Sequence, residues 1–211
     1  MDPLDALKRI ASTATAGAEP AHDWLHVLRV SKLASELCEA EGADVNVAVP
    51  AALLHELHNF PKNHPDSAKS GEICAQRAGE VLRDLGWSSD SVEKIGYCIA
   101  VHGFSAGVVP VTVEAKVLQD ADRLDAIGAI GIARCFSTGA TMRAPFYDPA
   151  DPFAKNRPLD DQRFSVDHFF RKLLKIPERL HTATARRLAE PRVEFLNQFL
   201  ARLADEIPSA F

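Results

Sequence analysis

Histidine and carboxylate side chains occur in three groups along this sequence of 211 residues. The first group is the segment HDWLH at 22–26, the second is the pair His55-Glu56, and the third is the segment DADRLD at 120–125. The last two groups lie within apolar runs, where burying a charged carboxylate costs several kcal/mol unless something compensates it. Imidazole nitrogens and carboxylate oxygens are ligands for divalent cations, so a shared metal ion is the simplest compensator.

Each group also has an ordinary structural explanation. A single buried histidine is commonly a hydrogen-bonded core residue, and Asp23 could do no more than cap a helix. The carboxylates of the segment 120–125 could pair with Lys116 or Arg123. The residues alone therefore leave a metal site and separate structural roles open.

Helices are the elements that must position these side chains, because apolar residues recur at helical spacing through most of the chain. Glycine and proline residues stand where such helices would end. We predict helices that begin at Asp2-Pro3 and at Asp44, a helix that Asp90 caps, and helices over 23–40, 67–85, 115–136, 165–175 and 182–207.

Alternating strand patterns are almost absent, and Pro110 interrupts the one β-like run at 108–113. The sequence therefore predicts an all-α fold with one domain over 1–211. We expect a metal-binding core over about 20–140 and C-terminal helices over about 160–208 packed on that core.

The formal net charge is −5, from 24 basic and 29 acidic residues. Nucleic-acid polymers are bound through clustered lysine and arginine, so we expect no such partner. No apolar stretch reaches the ~20 residues of a transmembrane helix, and the N-terminus lacks the apolar run of a signal peptide. We therefore expect a cytoplasmic protein that does not enter a membrane. The four cysteines form no CxxC pair and are expected to be reduced.

The three groups resemble the HD-domain phosphohydrolase superfamily, and more narrowly its YedJ/YpgQ-like bacterial branch. The segments that carry the resemblance are HDWLHVLRV at 22–30, AALLHEL at 51–57 and KVLQDADRLDAIGAIGIAR at 116–134. It continues through AVHGFS at 100–105, DPFAKNRPLDD at 151–161 and DHFFRKLLKI at 167–176. The resemblance covers nearly the whole chain and implies an HD-type helical bundle.

The resemblance also implies a set of metal ligands. The first histidine ligand of the superfamily stands three residues before an arginine, which here is His26 rather than His22. The histidine-carboxylate pair falls on His55 and Glu56, and the last ligand, in an Ala-Asp-x-Leu pattern, falls on Asp122. The implied cofactor is one divalent ion, with Mn²⁺, Fe²⁺ or Mg²⁺ ahead of Zn²⁺ or Ni²⁺.

The sequence departs from the superfamily at Glu56, where its members carry aspartate. Glutamate keeps the charge but adds a methylene group, so its carboxylate reaches farther. His58 follows His55 by one helical turn and could add a ligand or a general acid. Asp120 is a rival of Asp122, but residues two apart point to different sides of a helix, so we do not expect both to bind one ion.

The activity that the resemblance implies is metal-dependent hydrolysis of a small phosphorylated substrate. For this branch the expected substrate is a nucleotide, and the narrower expectation is a nucleoside triphosphate split to monophosphate and pyrophosphate. We expect catalytic roles for Glu56, Asp122, Asp23 and His58, and substrate contacts for Arg29, Lys62, His102, Arg123 and Arg157. Lys62 could equally be a solvated loop lysine, and a homodimer stays open.

Two other functions compete with hydrolysis. Some superfamily members use two irons and oxygen to cleave C–C or C–P bonds, and they need additional histidines between the histidine-carboxylate pair and the last aspartate. Residues 65–101 contain no histidine, which argues against such an oxygenase. The other alternative is a non-catalytic domain that binds a metal or ligand, because Glu56 replaces the usual aspartate.

Overall fold

The computed structural model describes residues 3–19, 21–58, 60, 66, 69–103 and 107–208. Within these residues the regular structure is helical throughout and contains no strand, so the predicted all-α fold class is confirmed. The α-helices are α1 (Pro3–Ala14), α2 (Trp24–Glu41), α3 (Val45–Leu54), α4 (Ser70–Asp84), α5 (Ser89–Val101), α6 (Val113–Asp125), α7 (Gly128–Thr141), α8 (Ser165–Arg171) and α9 (Ala183–Glu206). None of the helices in this described part combines the length and apolar character needed to span a bilayer.

The helices group into two compact units, Met1–Asp122 and Arg123–Phe211. The division falls inside α6, directly after Asp122. The expectation of one domain over 1–211 with a core over about 20–140 stays a prediction.

The first unit is built around α3. Most residues of α3 are buried, and it packs against α1, α2 and α5. The C-terminal end of α3 is fixed from α4, because the Cys74 thiol donates to the carbonyl oxygens of Leu54 and His55 at 3.2 and 3.1 Å. These contacts hold the residues that follow α3 in one place.

Helices α4 and α5 approach each other closely at Gly71. A methyl group at residue 71 would lie 2.6 Å from the carbonyl oxygen of Ala100, a backbone atom that cannot rotate away. We expect Gly71→Ala to lower the free energy of unfolding by about 1–3 kcal/mol, because the helices must separate to admit it. Urea unfolding followed by circular dichroism would measure the loss.

The control for this prediction is Gly96→Ala in α5. Apart from the backbone of α5 itself and the adjacent residues, no atom lies within 4 Å of a methyl group added at Gly96. Alanine favours a helix over glycine by about 1 kcal/mol, so this variant should be unchanged or stabilised. Equal losses in both variants would show that the close approach at residue 71 does not limit the packing.

The second unit contains α7, α8 and α9, with α7 packed against the other two. Aromatic rings of Phe136, Phe169 and Phe199 meet at centroid distances of 5.7–6.0 Å. On α8, Asp167 is fully buried and binds the segment before the helix through Arg157. The unit therefore has an apolar core and largely buried ion pairs, which include Arg157–Asp167 and Arg134–Asp125.

The prediction of one continuous helix over 115–136 is wrong. The chain is helical on both sides of Ile127, but Ile127 itself is extended, with φ −126° and ψ 165°. Gly128 follows with φ 78°, a backbone conformation that favours glycine. The chain therefore turns there, which separates α6 from α7.

Two other helix limits also differ from the prediction. The side chain of Ser88, and not that of Asp90, caps α5 by accepting from the backbone N–H of Ser91 at 3.2 Å. The predicted helix over 165–175 ends at Arg171, and a short 3-10 turn follows at Leu173–Lys175. In both cases the apolar spacing identified the helix but not its end.

Candidate metal centre

His26 is placed by the first turn of α2. The carboxylate of Asp23 caps this helix and accepts from the backbone N–H of His26 at 2.9 Å. The His26 side chain is completely buried. The contact that the structure gives Asp23 is thus helix capping, and its predicted catalytic role stays a prediction.

His55 is placed by the end of α3. Its Nδ1–H donates to the carbonyl oxygen of Ala52 at 2.7 Å, which leaves the Nε2 lone pair free of a proton. Burial lowers the pKa of His55 to about 4, and the charge of Glu56 offsets this only in part. His55 is therefore neutral at pH 7 and presents Nε2 as a nitrogen ligand.

Four atoms form what we call the donor cluster: Nε2 of His26, Nε2 of His55, Oε1 of Glu56 and Oδ1 of Asp122. The two Nε2 atoms are 3.2 Å apart, and Asp122 Oδ1 is 3.5 Å from His26 Nε2. Glu56 Oε1 lies 3.6 and 3.7 Å from the two nitrogens. Ligands bound at about 2.1 Å to one ion stand about 3.0–3.5 Å apart, so the spacing suits a single divalent cation.

The two rival aspartates of α6 occupy different surroundings. Asp122 directs Oδ1 into the donor cluster, and its side chain is 26% exposed. Asp120 is completely buried and contributes no atom to the groups that could hold a metal ion within the described residues. The geometry thus favours Asp122 over Asp120, as the resemblance implies.

Sequence reasoning missed His22. Its Nδ1 lies 2.7 Å from Glu56 Oε1, the shortest contact that the Glu56 carboxylate makes with any of these histidines. The spacing of four residues between His22 and His26 gives no helical signal, because His22 precedes α2. The superfamily pattern directed attention to His26 alone.

His22 also stabilises the negative charge of the Glu56 carboxylate. Burial alone would raise the pKa of the Glu56 carboxyl, but the hydrogen bond from His22, together with the other imidazoles around the carboxylate, outweighs burial and holds the pKa well below its usual range. Glu56 is consequently ionised at neutral pH, although its side chain is only 7% exposed.

His102 stands at the end of α5 in the same way that His55 stands at the end of α3. Its Nδ1–H donates to the carbonyl oxygen of Ile99 at 2.6 Å, which fixes the orientation of the ring. The His102 and His55 ring centroids are 5.3 Å apart. This places the imidazole predicted to contact substrate directly beside the donor cluster.

His58 lies beside a cavity of about 260 Å³. The buried Nε2 of His58 has no hydrogen-bond partner among the described residues, and burial lowers the pKa of the imidazole. The cavity is lined by His22, Glu56, Leu57 and His58 together with Ala14, Thr15 and Ala18. His58 therefore shares one cavity with Glu56.

The side chains predicted to contact phosphate lie on different elements of the structure. Arg29 lies on α2, one turn beyond His26. Arg123 and Arg157 belong to the second unit, where Arg123 binds the carbonyl oxygen of Arg179 and Arg157 binds the carboxylate of a buried aspartate. Lys62 lies outside the described residues. Their roles in substrate binding stay predictions.

Comparisons with known proteins agree with this geometry. Residues 24–127 match the family model of the HD domain. The YpgQ protein of Bacillus subtilis is 34% identical over 191 residues, which are 89% of this chain and 85% of YpgQ.

Solved structures resemble the whole chain. The crystal structure of Bacillus subtilis YpgQ in complex with ADP matches with a TM-score of 0.76 at 33% identity, covering 100% of this chain and 99% of that chain. An HD-superfamily hydrolase from Bacillus thuringiensis matches with a TM-score of 0.73 at 30% identity, covering 96% and 95%. Sequence, fold and donor cluster thus agree, and the chain belongs to the HD-domain superfamily, in the branch that contains YpgQ.

Proposed function

We propose that this protein is a metal-dependent phosphohydrolase whose substrate is a nucleotide. The observation that supports the proposal most directly is the donor cluster, in which His26 Nε2 lies 3.2–3.6 Å from His55 Nε2 and from one oxygen each of Glu56 and Asp122, and His55 Nε2 lies 3.7 Å from the same Glu56 oxygen. The ADP bound in the structure of YpgQ supports a nucleotide as the substrate class. A split of a nucleoside triphosphate into monophosphate and pyrophosphate is the narrower form of the proposal.

The donor cluster fits a divalent cation for a chemical reason. Nε2 of His55 carries a lone pair, and it lies 3.2 Å from Nε2 of His26 and 3.7 Å from Oε1 of Glu56. Buried nitrogen and carboxylate oxygen atoms at this spacing need a shared proton or a cation between them. A mixed nitrogen and oxygen set suits Mn²⁺ or Fe²⁺, and Zn²⁺ or Ni²⁺ also accept it.

Different residues of the chain would bind the ion and supply its neutralising charge. His26, His55, Glu56 and Asp122 would hold the ion, which when bound polarises a phosphoryl oxygen and lowers the pKa of a water molecule. The two carboxylates supply the negative charge, while the neutral imidazoles add ligands without charge. The two carboxylates balance the charge of a divalent ion, so the loaded site would no longer repel a phosphate group as the two carboxylates alone do.

Residues around the cluster would act on the substrate. Arg29 is our candidate for a phosphate contact, because a guanidinium group binds phosphate oxygens in pairs. His58 can exchange a proton with a ligand in the cavity that it shares with Glu56. His102 presents Nε2 next to His55 and is a candidate for orienting the substrate.

Metal removal gives the direct test of the proposal. We expect the purified protein to carry about one divalent ion per chain, and a chelator to abolish nucleotide turnover. Adding Mn²⁺, Mg²⁺ or Fe²⁺ back should restore turnover at least with one of them. Elemental analysis measures the ion, and release of phosphate or pyrophosphate from a panel of nucleotides and phosphate esters measures turnover.

Other outcomes of this test identify the competing functions. Two irons per chain together with oxygen consumption would favour the C–C or C–P bond-cleaving oxygenase. A fully loaded protein that hydrolyses no member of the panel would favour the non-catalytic domain. Protein that binds no divalent cation would contradict the proposal altogether.

A further inference from the structure

We infer that His22 is a positioning residue that holds Glu56 in the donor cluster, and that the glutamate at this position depends on it. The inference rests on the proposed function, because it concerns the same metal site. Neither the superfamily pattern nor the comparisons assign a role to His22.

The distances distinguish a hydrogen bond from a shared ion. His22 Nδ1 is 2.7 Å from Glu56 Oε1, shorter than the 3.2–3.7 Å that separates neighbouring atoms of the donor cluster. A contact of this length is a hydrogen bond, and because a carboxylate oxygen accepts, Nδ1 of His22 carries the proton and donates it. A protonated Nδ1 has no lone pair for a metal, so His22 acts through Glu56.

His22, His26 and Glu56 are also close enough together to form a metal-binding group of their own. Such a group would share His26 Nε2 with the donor cluster, and an imidazole nitrogen has only one lone pair. A separate second ion at this place would therefore compete with the first ion for His26. The geometry favours one ion with His22 as the outer partner of a ligand.

The turn before α2 fixes the imidazole of His22. The backbone N–H of His22 donates to the carbonyl oxygen of Glu19 at 2.8 Å, and Asp23 caps α2 directly afterwards. The carboxylate of Glu19 lies 3.9 Å from His22 Nε2 on the other side of the ring. The ring thus stands between two carboxylates and is held from the backbone.

The additional methylene of Glu56 explains why this contact matters here. An aspartate at this position would withdraw the carboxylate by about 1.5 Å, one C–C bond length. A contact of 2.7 Å would then lengthen to about 4 Å, beyond hydrogen-bond reach. The inference therefore predicts that His22 is important with glutamate at position 56 and unimportant with aspartate.

Mn²⁺ affinity of the metal-free full-length protein, measured by titration calorimetry, tests the inference. We expect His22→Leu to weaken Mn²⁺ binding roughly 10- to 100-fold, the usual effect of removing an outer partner of a ligand. His22→Asn should recover most of the loss, because its amide N–H takes the place of Nδ1–H. In a Glu56→Asp background, His22→Leu should change the affinity less than about 3-fold.

His168→Leu is the matched control, because His168 Nδ1 also pairs with a carboxylate, that of Asp161, at 2.9 Å and outside the site. It should bind Mn²⁺ like the wild type. Unchanged affinity in His22→Leu would overturn the inference. So would a failure of His22→Asn to recover binding, or an equal loss with Glu56→Asp. If the wild type itself binds no Mn²⁺, then the proposed function fails as well.

Discussion

The Asp122→Asn variant is expected to lose both divalent-metal binding and turnover while it keeps its fold. Asparagine matches aspartate in shape, but it removes one of the two negative charges among the donor atoms. The affinity for Mn²⁺ should fall by more than the roughly 100-fold that is typical of outer partners. A bound cation contributes several kcal/mol to the transition state, and each ~1.4 kcal/mol is tenfold in rate, so turnover should fall at least about 10³-fold.

Thermal unfolding separates loss of metal from loss of fold. Mn²⁺ at about 100 times its dissociation constant stabilises a protein by ~2.7 kcal/mol, which is roughly 5–10 °C for a chain of this length. Wild-type protein should show this shift, and Asp122→Asn should show none while still unfolding cooperatively. Asp120→Asn is the comparison variant, because the buried Asp120 is the alternative ligand on α6. This variant should keep the Mn²⁺-dependent shift. The reverse pattern would make Asp120 the ligand.

The resemblance to the HD-domain superfamily implied His26, His55 and Asp122 as ligands, and each of them lies in a regular helix or directly after one. His26 lies in the first turn of α2, and His55 directly follows an α3 whose near-continuous apolar character requires burial. His22 could not be predicted in this way, because it precedes the helix in a turn. Its position depends on a hydrogen bond to Glu19 and on the length of the Glu56 side chain. Neither the hydrogen bond nor the side-chain length produces a periodic sequence pattern from which the role of His22 could be predicted.

The break between α6 and α7 shows a second limit of periodicity. The segment 115–136 is apolar almost throughout, and apolar spacing alone does not distinguish one helix from two. The deciding feature is the backbone at Gly128, whose φ of 78° interrupts the helical path. Asp122 is nevertheless predicted correctly as a helical residue, because it lies before the break.

Arg157 shows why the positive partners of a phosphate were harder to predict than the ligands of a cation. An arginine in a proline-rich segment is compatible with a phosphate contact or with an internal ion pair. In the structure Arg157 donates to Asp167 through Nη1 at 2.5 Å and Nη2 at 2.8 Å. The partner lies ten residues along the chain, at a place that only the fold determines.

The Asp167→Ala variant is expected to lose about 3 kcal/mol of unfolding free energy. Asp167 is completely buried and accepts two hydrogen bonds from Arg157 and one from the backbone N–H of Asp160 at 2.6 Å. Removing one member of a buried pair leaves the other charge uncompensated and commonly costs 3–5 kcal/mol. We expect about the lower value because the Arg157 side chain is 18% exposed and also faces Asp148 at 3.5 Å.

Urea unfolding of Asp167→Ala, Arg157→Ala and the double variant measures this pair by a thermodynamic cycle. Asp205→Ala is the control, since Asp205 and its partner Arg202 are 75% and 83% exposed and such pairs contribute at most about 1 kcal/mol. A strong coupling between residues 157 and 167 would show that Arg157 stabilises the second unit through Asp167. If Arg157→Ala instead raised KM for a nucleotide and left stability unchanged, then the sequence prediction of a phosphate contact would be correct. The bidentate geometry leads us to expect coupling, because both ends of the guanidinium are already bound to the carboxylate.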